Sequence, residues 1–534
     1  MKTKLVLLLA LTILFGCKSS KETVSVPAPS VSDFMSTINA EGLRADLTVF
    51  SHDSLEGRDT GSEGLEKAAS FLAVKYTTLG IEPVGDNGTY FQHFMLDQPI
   101  IKSNNYSVTS VDGATIDESR HSASEIGNFR TWRAGESGVK GEIVFSGHGI
   151  KNDTLNQYPE DLDGKWIMVF YDQAHFTVLQ QVIADQGALG AILIMDTEES
   201  YFREEAEAGK QRFGVPGRMS LAYLERDSSP TAGIHMVNPV FAAQLIGTSN
   251  LTALNQELQS SPNSFEPAFL NVELEFDQSI QKNQTETKNV LAYIEGVDPE
   301  LKDEVVVLSS HYDHVGIGRP DSTGDTIYNG ADDDGSGTIG LLHIAQALVA
   351  AKKAGAGTKR SVLILHVTGE EKGLLGSRYY SDHPVYPIEK TVANLNLDMI
   401  GRRDFENPES GDYIYVIGGK IISSGIDSLL NAANMESVNI ELSDRYNDLN
   451  DPNQFYRRSD HWNFGRLGVP FAFFFNGVHE DYHRPSDEVD KIDFEALTKR
   501  SQLIFLTATK IANADERPKV DNQEFIEKTR QQPR

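Results

Sequence analysis

The run Tyr328-Asn329-Gly330-Ala331-Asp332-Asp333-Asp334-Gly335-Ser336-Gly337 sets three consecutive acids between glycines, ahead of an apolar stretch beginning at Ile339. Carboxylates crowded in this way repel one another unless a cation neutralises them. Hard cations do so, and so does zinc where histidine is at hand. Suitable partners occur along the chain at His311-Tyr312-Asp313-His314, Glu370-Glu371, Asp398 and His483. Two zinc ions a few ångströms apart need about three protein donors each, with a carboxylate between them to screen their repulsion. His311 and Asp398 complete one site on this reading, and Glu371 with His483 the other. Spacing alone leaves the bridge open among Asp332, Asp333 and Asp334.

These residues need a scaffold that brings them together, and the flanking apolar runs supply one. Val305 to Leu308 leads into His311, Val362 to Leu365 into Glu370-Glu371, Val392 to Leu397 into Asp398, and Val469 to Phe475 toward His483. Short, wholly apolar runs are the signature of strands covered on both faces, and open α/β sheets place their ligand crevice past the carboxyl ends of such strands. Apolar-rich helical stretches alternate with them, at Gly340 to Ala351 and Phe494 to Ile511. The expected fold class is α/β, with a mixed, centrally parallel sheet flanked by helices.

The neighbours of the ligands suggest further roles. His311 and Asp313 lie two apart, so on extended backbone they project to one side, and the Asp313 carboxylate is placed to accept from the far ring nitrogen of His311. Glu370, next to Glu371, stands where a carboxylate can take a proton from metal-bound water and return it to a leaving amine. Tyr482 either donates a hydrogen bond to an oxyanion or packs beside the site. His343, His366 and His461 read as packing or hydrogen-bonding residues. Arg402 reads as holding a substrate carboxylate or as one half of a structural ion pair.

Two motifs mislead. His479-Glu480-Asp481-Tyr482-His483 fits His-Glu-x-x-His, but that pattern needs a helix, and Asn476-Gly477 before it and Arg484-Pro485 after it argue against one. Gly335-Ser336-Gly337-Thr338-Ile339-Gly340 fits Gly-x-Gly-x-x-Gly, but the acids ahead of it would repel a pyrophosphate.

Taken with Thr368-Gly369-Glu370-Glu371, Asn396-Leu397-Asp398-Met399-Ile400-Gly401 and Tyr482-His483-Arg484-Pro485-Ser486-Asp487, the histidine and triple-acid segments resemble the ordered signatures of the M28 family of zinc aminopeptidases. Leu55-Glu56-Gly57-Arg58 with Thr60-Gly61-Ser62 resembles that family's N-terminal segment. The resemblance implies a co-catalytic pair of Zn2+ ions per chain, bridged by Asp333. It also implies removal of N-terminal residues from peptides with a free N-terminus, by a metal-bridging hydroxide with Glu370 as general base. Rival readings are a single-zinc, glutaminyl cyclase-like aminoacyl cyclotransferase, against which His311 and Asp398 argue, and a noncatalytic receptor or scaffold on the same fold.

The remainder of the 534 residues divides by texture. Lys2 and Lys4, the apolar run Leu5 to Leu14, and Leu14-Phe15-Gly16-Cys17 resemble a bacterial lipoprotein signal. That resemblance implies an exported envelope protein held to a membrane by lipid on Cys17, facing the periplasm or the cell surface. The expected divisions are a signal at 1–16, a Ser/Pro-rich tether at 17–32, the first part of the catalytic body at 33–100 and an insert at 101–284. The rest of that body follows at 285–512, then a charged, frayed tail at 513–534. Short β-like runs between Gly, Asn, Asp and Pro fill the insert. Its segments Asp161 to Val169 and Gly187 to Ile194 resemble the protease-associated (PA) domain, and no constellation in it is suited to chemistry. The only cysteine excludes an intrachain disulfide, and a net charge of -29 disfavours nucleic acid as a partner. Oligomeric state has no signature in the sequence.

Overall fold

The computed structural model describes residues 29–224 and 233–530; Cys17 and the expected export signal lie outside the described residues. After a short 3-10 helix at Val31–Thr37 come α1 (Ala40–Phe50) and α2 (Glu63–Leu79). The second of these starts where the Ser62 side chain accepts from the Leu65 amide, and stops at Gly80 in a left-handed conformation. Next comes β1 (Phe91–Ser110), followed by β2 (Val139–Phe145), β3 (Trp166–Phe170), α3 (Phe176–Gln186), β4 (Gly190–Ile194), β5 (Gly233–Val237) and β6 (Ala268–Ile294). The remaining elements used below are β7 (Val305–His311), α4 (Gly337–Lys353), β8 (Ser361–Val367), α5 (Leu375–Asp382), β9 (Thr391–Leu397), β10 (Tyr413–Gly418), β11 (Phe471–Phe475), α6 (Phe494–Asn513) and α7 (Gln523–Arg530).

One mixed sheet runs in the order β10-β11-β9-β7-β8-β6-β2-β3-β4-β5. Its centre, β11-β9-β7-β8, is parallel throughout, and β10 and β6 flank that centre antiparallel. Alternate residues of each central strand face opposite layers. Val306, Leu308 and Ile364 pack with residues of α1, α2, α4 and α6, while Val305, Val307 and Leu363 pack with Tyr380 of α5 and Phe464. A fully buried side chain of this kind contributes roughly 1.5–3 kcal/mol, so both faces hold the strands in register and fix where their carboxyl ends lie.

The region from 100 to 284 differs from the expected string of short strands. Its first and last segments belong to β1 and β6, which pair antiparallel from Phe91↔Val290 to Ser110↔Val272. The ribbon passes through positions 100/101 and 284/285, so the central parallel sheet and the parallel set β2-β3-β4-β5 share one backbone ladder. Near Gln281-Lys282-Asn283-Gln284 the ribbon is exposed, and polar residues on both faces erase the alternation that marks a half-buried strand. The tail also differs from expectation. It ends in α7, which buries Phe525 edge-on against Phe471, with the Asn522 side chain accepting from the Phe525 amide. Lys528 adds bonds to the Leu449 carbonyl and the Asn450 side chain, so an apolar anchor and a basic contact dock a charged octet. Among the described residues, no helix is long and apolar enough to cross a membrane.

Candidate metal centre

The three adjacent aspartates separate by their partners. Asp334 accepts from the amides of His311 (3.1 Å), Gly337 (3.0 Å) and Met399 (3.1 Å), tying the end of β7 to the start of α4 and to the turn after β9. Asp332 accepts from the Gly401 amide at 2.7 Å and the Ser336 hydroxyl at 2.8 Å, and lies 3.1 Å from His479 Nε2. Asp333, joined to Asp334 by a cis peptide bond, reaches two ways. Its Oδ1 is 3.2 Å from His311 Nε2, and its Oδ2 is 3.1 Å from His483 Nε2. Asp487 accepts from the amides of both Asp332 and Asp333, and burial beside Asp332 pushes its carboxyl up to about 6.

Around Asp333 the donors fall into two sets, each with its ligand atoms within 4.8 Å of one another: His311, Asp333 and Asp398, and His314, Asp333, Glu371 and His483. The second set contains His314, which the sequence reading quoted within a motif but gave no role. Neighbouring donors on a tetrahedral zinc bound at about 2.0–2.1 Å lie roughly 3.3–3.4 Å apart. The measured separations bracket that value: 3.2 Å and 3.6 Å from His311 Nε2 to Asp333 and Asp398, and 3.1 Å from His483 Nε2 to both Asp333 and Glu371. Glu371 Oε1 is buried without a hydrogen bond, as expected of an oxygen that faces a cation. These residues fit a pair of zinc ions.

Supporting contacts fix the donors. Ser459 donates to Asp398 Oδ2 at 2.6 Å. His311 Nδ1 lies 3.0 Å from the Asp313 carbonyl, whereas the Asp313 carboxylate is 3.8 Å away, so the main chain rather than the side chain orients this ring. The strand ends at His311, and beyond it the two-residue alternation no longer applies. The Asp313 carboxylate instead accepts from the Thr60 hydroxyl (2.8 Å) and the Glu370 amide (3.3 Å), which places it behind Glu370.

Glu370, Tyr482 and Arg458 line a cavity with His311, Asp398 and His483, walled by Met399, Phe455, Phe473, Phe475 and Val478. Burial raises the Glu370 carboxyl well above the usual range, aided by Glu371, Asp398 and Asp460 and opposed by His311. Burial also raises the Tyr482 phenol, with Asp333 and Glu371 adding to it, so the group stays a neutral donor. Its ring stacks on His483 with centroids 3.9 Å apart.

Arg58 has no precedent in the residue-level reading. It is fully buried and donates to the carbonyls of Tyr312 (3.0 Å), Phe50 (3.1 Å), Asn329 (2.7 Å) and Gly330 (2.9 Å). One side chain therefore ties α1, the histidine segment and the triple-acid loop together, and its charge faces Asp487, Asp333, Asp313 and Asp334. A Cβ on neighbouring Gly57 would meet the Tyr328 carbonyl at 2.4 Å, so only glycine allows this approach.

The remaining sequence candidates lie outside the donor sets. Arg402 pairs with Asp481 at 3.0 Å in a buried ion pair, His343 with Asp46 at 3.1 Å, and His461 Nε2 with the Phe455 carbonyl at 3.1 Å. His366 lies between Tyr76 and Ser310. His479 to His483 forms turns rather than a helix.

Residues 289–508 match the sequence model of Peptidase family M28. The matched segment contains every donor of both sets together with Asp313, Glu370 and Tyr482. Leucine aminopeptidase 2 of Arthroderma otae is 26% identical over 382 residues, covering 67% of this chain and 64% of that protein. A probable leucine aminopeptidase of the same fungus is 28% identical over 227 residues, 42% of this chain and 58% of that protein. The chain thus spans less than two thirds of either relative. Among solved structures, an aminopeptidase from Aneurinibacillus sp. strain AM-1 is 18% identical, with 92% of this chain and 98% of that one covered and a TM-score of 0.47.

Proposed function

We propose that this protein is a zinc-dependent aminopeptidase that removes N-terminal residues from peptides. The observation that carries the reading is the pair of donor sets sharing Asp333, with Glu370 on the cavity wall beside them. The M28 match and the relatives named as leucine aminopeptidases support it. Bound zinc supplies polarisation of a carbonyl and water acidified to about pKa 7.

The chain's own residues do the rest. The carboxylates of Glu370 and Asp398 attract the free amine of a peptide, while Met399, Phe455, Phe473 and Phe475 receive an apolar first side chain. Glu370, a stronger base than an exposed carboxylate because burial raises its carboxyl above the usual range, takes a proton from water in its charged form and passes it to the departing amine. Tyr482 remains protonated and donates to the oxygen on which negative charge develops. Asp313 holds the Glu370 main chain and Ser459 holds Asp398.

We read the insert as PA-like, on the strength of its parallel β3-β4-β5 set with α3 packed against it. We read the mature chain as an exported protein anchored by lipid on Cys17. The deciding experiment is hydrolysis of a panel of amino-acid arylamides and dipeptides by purified protein, with and without chelator and added zinc. Release of free amino acid that chelator stops and zinc restores supports the reading. Cyclisation of N-terminal glutamine without peptide cleavage would replace it with the cyclotransferase, against which the set His311, Asp333 and Asp398 stands.

A further inference from the structure

We infer that His314 is a sixth metal-ligating residue, giving one ion of the pair four protein donors and leaving the other with three. The inference rests on the dizinc reading of the centre. His314 is fully buried one residue past Asp313, and its Nδ1 lies 2.9 Å from Glu371 Oε1 and 3.8 Å from Asp333 Oδ2. Despite the short approach to Glu371, neither ring nitrogen of His314 makes a hydrogen bond, and Glu371 Oε1 makes none either. Two buried polar atoms this close, yet misaligned for a hydrogen bond to each other, are arranged as donors to a common point between them.

The second pair of contacts closes the figure. His483 Nε2 is 3.1 Å from both Glu371 Oε1 and Asp333 Oδ2, so His314, His483, Glu371 and Asp333 present separations of 2.9, 3.1, 3.1 and 3.8 Å. Those are edges of a tetrahedron of the size zinc requires, roughly 3.3–3.4 Å on a side. The surroundings leave room for the ring. A Cβ built on Gly330 would fall 2.6 Å from His314 Cγ and Cδ2, so the imidazole lies flat on a residue that has no side chain.

The two ions are then unequal. The one held by His314, His483, Glu371 and Asp333 has a filled set of protein donors, as structural zinc sites do. His311, Asp333 and Asp398 supply only three donors, so an ion held by them would have a position to spare, as catalytic zinc does. All three donors of the latter set line the cavity with Glu370, whereas His314 and Glu371 do not, so an ion held there would be the one placed to polarise a substrate carbonyl.

Two measurements test this without relying on turnover. In a crystal structure of the wild-type protein loaded with zinc, Nδ1 of His314 is expected at about 2.0–2.1 Å from one ion; a ring nitrogen more than about 3 Å from both ions would overturn the inference. In chelator-competition titrations with Zn2+, His314→Ala is expected to weaken one of the two sites by more than the ~10–100-fold that loss of an outer partner produces. A smaller loss, or equal losses at both sites, overturns it. Two bound zinc ions and intact peptide hydrolysis with a distant His314 would sink this inference alone, whereas wild-type protein that binds no zinc would sink the dizinc reading with it.

Discussion

Burial sets adjacent carboxylates against one another unless each finds positive partners of its own. In the triple-acid loop Asp332 takes His479 and the Gly401 amide, Asp334 takes three main-chain amides, and Asp333 is left to reach both donor sets. The same proximity sets the behaviour of Glu370, which lines the cavity without belonging to either set. Glu370→Gln keeps the shape and removes the base, so kcat is expected to fall by about 10²–10⁴-fold or more, with zinc content measured by atomic absorption unchanged. An active Glu370→Gln enzyme, or one stripped of zinc, contradicts the assigned role. At this scale the sequence disclosed residue types and order but not direction. Asp332, Asp333 and Asp334 are equivalent in spacing, and only their partners separate them. Asp313 showed the limit of a strand rule applied one step past the strand's end. Arg58 and His314 stood inside quoted motifs, but a buried cation bonded to carbonyls and a histidine with no hydrogen bond leave no trace in spacing.

At the scale of elements, the site is a meeting of strand ends held by a few long-range contacts. Arg58 is the most consequential of these, since the Phe50, Tyr312 and Asn329 carbonyls lose its donation if it is removed and the Gly330 carbonyl keeps only the Gly335 amide. Buried groups left unsatisfied cost about 1–3 kcal/mol each, so Arg58→Met is expected to lower stability by at least about 3 kcal/mol. Urea unfolding measures this, and added zinc should recover part of the loss by binding only the folded state. A change below about 1 kcal/mol would contradict the pinning role.

Asp382, at the end of α5, gathers the Tyr223 hydroxyl (2.7 Å), Arg378 Nε (2.6 Å) and Arg466 Nη2 (2.8 Å), so it fastens the segment around Tyr223 to the body that carries the donor sets. Burial opposes its charge, but these donors hold its carboxyl below the ordinary 3.8. A carboxyl depressed on folding stabilises the protein above its unfolded pKa and loses that contribution as pH falls through its folded value. The gap in Tm between wild type and Asp382→Asn is therefore expected to be level from pH 8 to about 5 and to close below about 4. A gap that widens on acidification contradicts the assignment. The central strands and α4 and α6 were legible because apolar runs and apolar-rich helical stretches are local signals. The β1/β6 ribbon was not, because an exposed ladder is held by main-chain pairing and leaves no apolar period.

For the whole molecule, a chain of net charge -29 folds around a cluster of buried carboxylates opposed mainly by Arg58, nearby histidines and main-chain amides. Cations bound at the two donor sets would relieve that excess, which couples metal loading to stability as well as to chemistry. The most direct test removes zinc with chelator, returns it in measured equivalents, and follows both Tm and release of leucine from a leucyl arylamide. Activity is expected to be absent from the metal-free protein and to climb with Tm to a plateau at two zinc ions per chain. Full hydrolysis by metal-free protein, or a plateau reached without bound zinc, would contradict the shared-aspartate centre on which the account depends.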